Sequence, residues 1–174
     1  MKVLPHPNMK GVYLVEKIYK KTYLATKNLA PGIKVYGEET VKVGRVEYRF
    51  WDPFRSKLAA AILKNMDIRA IKPGVRVLYL GASTGTTVSH VSDIIGLSGK
   101  IFAVEVAPRV MREFMDRVVA YRPNVYPLFS DARMPEAYRG IVGVVDVVYC
   151  DVAQPDETEI AINNCLQMLR KKGG

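Results

Sequence analysis

Residues 75–95 read VRVLYLGASTGTTVSHVSDII, and the fold turns on how this stretch is parsed. Residues 75–80 are almost unbroken apolar sequence, as expected of a strand covered on both faces. Residues 81–87, Gly81-Ala82-Ser83-Thr84-Gly85-Thr86-Thr87, form a glycine-rich turn. Residues 86–95 then carry a helix that Gly96 stops. A strand, such a turn and a helix in succession let backbone approach a ligand and aim free N–H groups at it. The dinucleotide fingerprint G-x-G-x-x-G is absent, since Gly81, Ser83 and Thr86 occupy its three positions. No Lys-Ser/Thr pair follows, so the turn is not a P-loop. A nucleoside-type ligand without a pyrophosphate suits it best.

The same alternation extends downstream. Strands are expected at 101–106, 125–129 and 144–150, with Asp146 the one charge in the last. Helices are expected at 108–121 and 156–169. The first carries Met111, Phe114, Met115 and Val118 on one side. The second has acids in its first turn and is closed by Arg170, Lys171, Lys172 and the pair Gly173-Gly174. Strands alternating with helices predict a parallel sheet covered on two sides.

Upstream, the pattern differs. Residues 1–52 place Tyr13, Tyr19 and Tyr23 among lysines and are punctuated by Gly11, Gly32, Gly37 and Gly44. Short β-type runs at 12–15, 22–26, 33–36, 41–43 and 46–51 predict a small antiparallel β-rich domain. A boundary is expected at Asp52-Pro53, with Asp52 as N-cap and Pro53 at the first helical position. Phe54, Leu58, Ala61 and Ile62 then recur at helical spacing, giving an amphipathic helix over 53–65. The expected division is thus 1–52 and 53–174.

Composition bounds the function. The chain has 174 residues with a net charge of +9, and residues 1–52 hold ten basic and five acidic side chains. A surplus of this kind favours a polyanionic partner such as nucleic acid. No apolar run reaches the roughly 18 residues of a membrane helix, and residues 1–5, MKVLP, lack the long apolar stretch expected of a signal peptide. Cys150 and Cys165 have no framework spacing, which fits a reducing, cytoplasmic compartment. Two histidines and two cysteines, scattered, offer no zinc site.

Acids or small polar groups close four successive strands, where ligands of open α/β sheets bind. Glu105 ends the second strand and can accept hydrogen bonds from both hydroxyls of a ribose. Asp131 follows the third and can accept one from an exocyclic amine such as adenine's. Asp151 ends the fourth, with Val152-Ala153-Gln154-Pro155 after it. The set describes a site for a cationic adenosine compound. His90, on the helix after the glycine turn, reads as a packed or exposed side chain rather than a base. Arg109 and Arg112 could reach phosphates but read as solvated. The tyrosines of residues 13–23 could stack on bases and more simply pack the β domain.

Gly81–Thr87, Val104-Glu105, Asp131-Ala132, residues 151–155 (DVAQP) and residues 51–62 (WDPFRSKLAAAI) together resemble the fibrillarin family. These are S-adenosylmethionine-dependent RNA 2′-O-methyltransferases of box C/D ribonucleoproteins. The resemblance covers essentially the whole chain, and lack of a Gly/Arg-rich tail makes it similar to the archaeal form. It implies a Rossmann-like methyltransferase fold behind the β-rich N-terminal domain. It implies S-adenosylmethionine as cofactor, held by Gly81, Ala82, Ser83, Thr86, Thr87, Glu105, Val106, Asp131, Ala132, Asp151, Val152, Ala153 and Gln154. It implies Lys57 and Asp151 as catalytic residues and Arg55 with Lys57 on RNA. The implied partners are box C/D guide RNA, target rRNA or tRNA, a Nop-family scaffold and a kink-turn-binding ribosomal-type protein. Three further strands, a second catalytic lysine and a late histidine would follow Gly174, so a truncated chain with residues 144–150 as an open edge strand is expected. Two rivals remain at this point: a non-catalytic assembly subunit, and an NAD-dependent oxidoreductase, disfavoured by the failed fingerprint.

Overall fold

The computed structural model describes residues 2–16 and 22–171. Tyr19, Lys172, Gly173 and Gly174 lie outside the described residues. Two sheets share the chain. The first holds β1 (Lys2–Pro5), β2 (Val12–Glu16), β3 (Thr22–Lys27), β4 (Thr40–Val43) and β5 (Val46–Phe50). It is antiparallel, in the order β1-β2-β3-β5-β4. The short helix α1 (Lys57–Leu63) leads into the second sheet. There β6 (Arg76–Leu80), α2 (Thr86–Ile95), β7 (Lys100–Glu105), α3 (Pro108–Arg117), β8 (Val125–Phe129), α4 (Arg139–Val142), β9 (Val147–Cys150) and α5 (Glu157–Met168) follow in turn. The strands are parallel in the order β8-β7-β6-β9, and β9 is an edge among the described residues.

The apolar run of β6 follows from its position. Val77 and Tyr79 pack into one hydrophobic cluster with Leu58, Ile62, Val88, Val91 and Phe114. Leu78 and Leu80 pack into a second with Phe102, Val104, Tyr138, Ile160 and Met168. Each fully buried side chain of this kind contributes about 1.5–3 kcal/mol. The first cluster continues into Val12, Leu24 and Trp51 of the N-terminal sheet and the residue after it. No described helix is long and apolar enough to cross a membrane.

Several expected elements change. Residues 33–36 are loop, because the Glu38 carboxylate accepts from the amides of Val35 and Tyr36, at 3.1 and 2.9 Å, in place of a strand partner. The expected helix over 53–65 begins at Lys57. Asp52 caps only a turn, with the Phe54 amide 2.9 Å from its Oδ1, and Ser56 is the N-cap, accepting from the Ala59 amide at 3.3 Å. Phe54, placed on the apolar stripe, is therefore 97% exposed. The helix over 108–121 ends at Arg117 and continues as a 3-10 turn at Val119–Tyr121, leaving Met115 exposed. Strand β9 starts at Val147, since Asp146 accepts from the Arg76 amide at 2.9 Å and pairs with Arg170. Strand β1 and helix α4 carry no sequence signal that singled them out.

A buried polar cluster joins the N-terminal sheet to α2. Arg49 on β5 pairs with Glu38 at 2.6 Å and with Asp93 on α2 at 2.8 Å, and donates to Ser89 Oγ at 2.9 Å. Thr26 donates to Asp93 at 2.8 Å, so its oxygen is left to accept from His90 Nδ1 at 2.7 Å. That places a proton on Nδ1, and Tyr36 Oη lies 2.8 Å from Nε2 and 3.0 Å from the Phe50 carbonyl. Trp51 stacks on the imidazole, centroids 4.8 Å apart. Burial pushes the His90 pKa well below its usual value, and Arg49 and Arg122 push it the same way.

This sets a pH dependence. Below about pH 6.5 the unfolded chain takes up a proton at His90 that the folded chain refuses. Stability is full above that pH and falls by up to about 1.4 kcal/mol per unit below it. Urea midpoints between pH 8 and pH 5.5 should show this slope in the parent and a reduced one in His90→Gln. An equal slope in both would assign it to another group.

Candidate functional site

A cleft of about 700 Å³ opens at the C-terminal ends of β6–β9. All of the residues expected from the sequence line it: Arg55, Lys57, Gly81, Ala82, Ser83, Thr86, Thr87, Glu105, Val106, Asp131, Ala132, Asp151, Val152, Ala153 and Gln154. Its floor is the turn after β6. The Gly81 and Ala82 amides both donate to the Val104 carbonyl, at 3.0 and 2.9 Å, which curls the turn over β7. Gly81 has φ +82°, and a Cβ there would lie 2.5 Å from the Asp151 carbonyl oxygen. Gly85 has φ +91°, and a Cβ there would lie 2.4 Å from Val118. The two glycines let β6 approach the end of β9 and let α2 approach the chain after α3.

Glu105 is held by three amides. Ser83 N donates to Oε2 at 2.9 Å, and Val106 N and Ala107 N donate to Oε1 at 3.0 and 2.9 Å. A carboxylate has about four acceptor positions, so capacity remains chiefly on Oε2. Asp131 is partly committed, its Oδ1 accepting from the Arg133 amide at 2.9 Å.

Lys57 comes from α1 and Asp151 from the end of β9, and the structure brings them into contact at 2.5 Å. The hydrogen bond to Asp151 and its charge raise the Lys57 pKa. Lys57 is thus an ammonium at neutral pH. Its side chain is 77% exposed against 20% for Asp151, so the pair adds at most about 1 kcal/mol to stability. Its placement is nevertheless supported from below. Ser56, the α1 cap, accepts from Thr87 Oγ1 at 2.9 Å, tying the start of α1 to the first turn of α2.

Two contributors had no signal in the residue pattern. Arg133 binds Asp156 at 2.7 Å and Gln154 Oε1 at 2.9 Å, tethering the rim after β9. Tyr79 sits under the floor with its ring 4.8 Å from that of Tyr149. Ser56 was legible in principle, as a Ser directly before an apolar helical run. His90 does not reach the cleft and belongs to the buried cluster. Arg109 and Arg112 are exposed on α3, and neither lines the cleft. Tyr13 and Tyr23 pack on Tyr48 and Phe50.

A parallel sheet with a glycine-rich first turn, an acid closing the second strand and a small antiparallel sheet in front defines a Rossmann-like methyltransferase fold. The family model for fibrillarin matches residues 3–174. The chain belongs to the fibrillarin family. It is 54% identical over 152 residues to the fibrillarin-like rRNA/tRNA 2′-O-methyltransferase of Sulfolobus acidocaldarius, covering 87% of this chain and 65% of that one. The chain therefore spans about two thirds of that relative's length. Among solved structures, Aeropyrum pernix fibrillarin in complex with natively bound S-adenosyl-L-methionine superposes with a TM-score of 0.95 at 48% identity, covering 98% of this chain and 74% of that one. The fibrillarin of a fibrillarin/Nop5p complex gives a TM-score of 0.79 at 42% identity, covering 95% and 72%.

Two substitutions separate architecture from chemistry. Gly81→Ala should lose about 1–2 kcal/mol from its left-handed backbone alone, and more from the collision with Asp151. Lys57→Ala should change stability by no more than about 1 kcal/mol. Denaturant unfolding of both variants checks this; a large loss in Lys57→Ala would make that lysine structural.

Proposed function

We propose that this chain carries the cofactor site and catalytic pair of an RNA ribose 2′-O-methyltransferase that uses S-adenosylmethionine. The observation that carries this is the Lys57–Asp151 pair at a cleft floored by the Gly81–Gly85 turn and walled by Glu105. The cleft volume falls within the roughly 300–1,000 Å³ of small-molecule sites. Its donor set suits the cofactor: Glu105 for the ribose hydroxyls, Asp131 for the adenine amine, and the free amides opening α2 for a carboxylate. When bound, S-adenosylmethionine supplies an electrophilic methyl on a positive sulfonium. Lys57 already holds its proton, so its contribution is electrostatic. It stabilises the negative charge that grows on the 2′-oxygen as that hydroxyl gives up its proton. Asp151 orients the ammonium and is the site's candidate proton acceptor.

The relatives' names support rRNA or tRNA as substrate, and the net charge of +9 suits a polyanion. The fibrillarin/Nop5p structure supports a Nop-family scaffold partner. Box C/D guide RNA, a kink-turn-binding protein and a cytoplasmic setting complete the reading, on the family resemblance.

Single-turnover methylation in a reconstituted guide ribonucleoprotein, with calorimetry of S-adenosylmethionine binding, tests it. Lys57→Ala and Asp151→Ala should each cut methyl transfer by ~10²-fold or more, with cofactor affinity kept in Lys57→Ala. Glu105→Ala should weaken cofactor binding by about 1.5–3 kcal/mol. Glu105→Gln, which can still take an amide bond on its carbonyl oxygen, separates the loss of the Ser83 contact from loss of the charge. Undiminished transfer in Lys57→Ala would remove it from the chemistry.

A further inference from the structure

Arg133 does not line the cleft, yet it grips the chain on two sides of it. It follows Asp131, the acid assigned to the adenine amine, and its amide donates to Asp131 Oδ1 at 2.9 Å. Its guanidinium reaches across to the segment after β9. Nε donates to Asp156 Oδ2 at 2.7 Å and Nη2 to Oδ1 at 3.0 Å, and Nη2 also donates to Gln154 Oε1 at 2.9 Å. Nη1 lies 3.7 Å from Asp131 Oδ2. Exposed ion pairs add little to stability as a rule, but a planar fork holding several acceptors fixes geometry. The segment it holds has little else to fix it. Residues 151–156 form neither strand nor helix, and Asp151, Val152, Ala153 and Gln154 wall the cleft. One end is anchored by the Asp151 amide, which donates to the Leu80 carbonyl at 3.0 Å. At the other end Asp156 is the N-cap residue of α5, but its side chain makes no capping bond and turns to Arg133 instead. Gln154 is fixed as well. Only its amide oxygen can accept from a guanidinium, so the amide nitrogen remains as a donor with no partner among the described residues.

We propose that Arg133 is a positioning residue for the cofactor: it locks residues 152–155 to the loop after β8 and, through Gln154, presents a fixed amide donor to the amino-acid half of S-adenosylmethionine. This rests on the methyltransferase reading. The amino-acid half carries a carboxylate, an acceptor that an untethered loop would have to be ordered to meet. Arg133 orders that loop before the ligand arrives, and such preorganisation raises affinity without a new contact. The guanidinium is not a phosphate ligand for the RNA. Asp131 and Asp156 flank it and together outweigh its single charge. A lysine could not do the same work, because an ammonium is a point charge without the planar fork that spans Asp156 and Gln154.

The test is calorimetry on this chain and its variants with S-adenosylmethionine, S-adenosylhomocysteine and 5′-methylthioadenosine, the last keeping the nucleoside but lacking the amino acid. Arg133→Ala should bind the first two about tenfold more weakly, the scale of one lost hydrogen bond to a charged group. Its affinity for 5′-methylthioadenosine should be unchanged. Arg133→Lys should stay weak. In a Gln154→Ala background the loss caused by Arg133→Ala should vanish, as for two residues acting through one contact. Hydrogen exchange gives a readout without ligand: the amides of residues 152–154 should exchange faster in Arg133→Ala while its urea midpoint holds. Full affinity in Arg133→Lys would assign the effect to charge alone, and an equal loss for 5′-methylthioadenosine would assign it to Asp131. Either result, or unaltered exchange, would overturn the assignment. Equal S-adenosylmethionine affinity in parent and Arg133→Ala would overturn it while leaving the methyltransferase reading intact. A parent that binds none of the three ligands would sink that reading and the assignment with it.

Discussion

The buried guanidinium of Arg49 is the constraint on which the site's geometry depends. It is fully buried and bridges Glu38 of the loop before β4, Asp93 of α2 and Ser89 one turn earlier. Removing one partner of a buried pair costs about 3–5 kcal/mol, because the other charge is left unpaired in a medium that cannot solvate it. The N-terminal sheet is therefore held to α2 in one register. Two residues beyond Arg49, Trp51 stacks on His90 of the same helix, and the chain then turns through Asp52 into Ser56 and Lys57. The position of Lys57 over the cleft thus follows from a charge cluster on the other side of α2.

Helix α2 works with its first turn and two of its faces. Its first turn opens the glycine loop and, through Thr87, holds the cap of α1. Its interior presents Val88, Val91 and Ile95 to the core under β6. Its polar residues Ser89, His90 and Asp93 face the N-terminal sheet and are all buried. That explains a helix with nine buried residues out of ten. Such a helix transmits position well, since neither neighbour can shift without leaving a polar group unsatisfied.

Exposure is distributed unevenly around the cleft. The groups that shape it, Gly81, Glu105 and Ser56, are pinned by backbone contacts or buried bonds. Phe54 and Arg55, on the turn before α1, and Lys57, its first residue, are exposed. Arg133 adds a tether on the far rim through Gln154 and Asp156.

The alternation of apolar strands and amphipathic helices, the glycine turn and the acids closing successive strands were all legible in the residues. Each depends on neighbours a few positions apart, where periodicity and turn chemistry act. Residues 75–95 alone imply the first βα unit, and Glu105, Asp131 and Asp151 mark the ends of its sister strands. Family resemblance added Lys57 and Arg55, which no local rule separates from solvated helix or turn cations. Tertiary structure decided the rest. Asp52 and Ser56 are both good caps by type, and only the Thr87 contact selects Ser56 and moves the helix start to Lys57. Phe54 fits an apolar stripe by spacing and is expelled from it by that shift. His90 and Asp93 look like an ordinary helix face until Arg49, more than forty residues away in sequence, arrives beside them. Contacts of that separation are set by how whole elements pack, and the chain's local pattern carries no record of them.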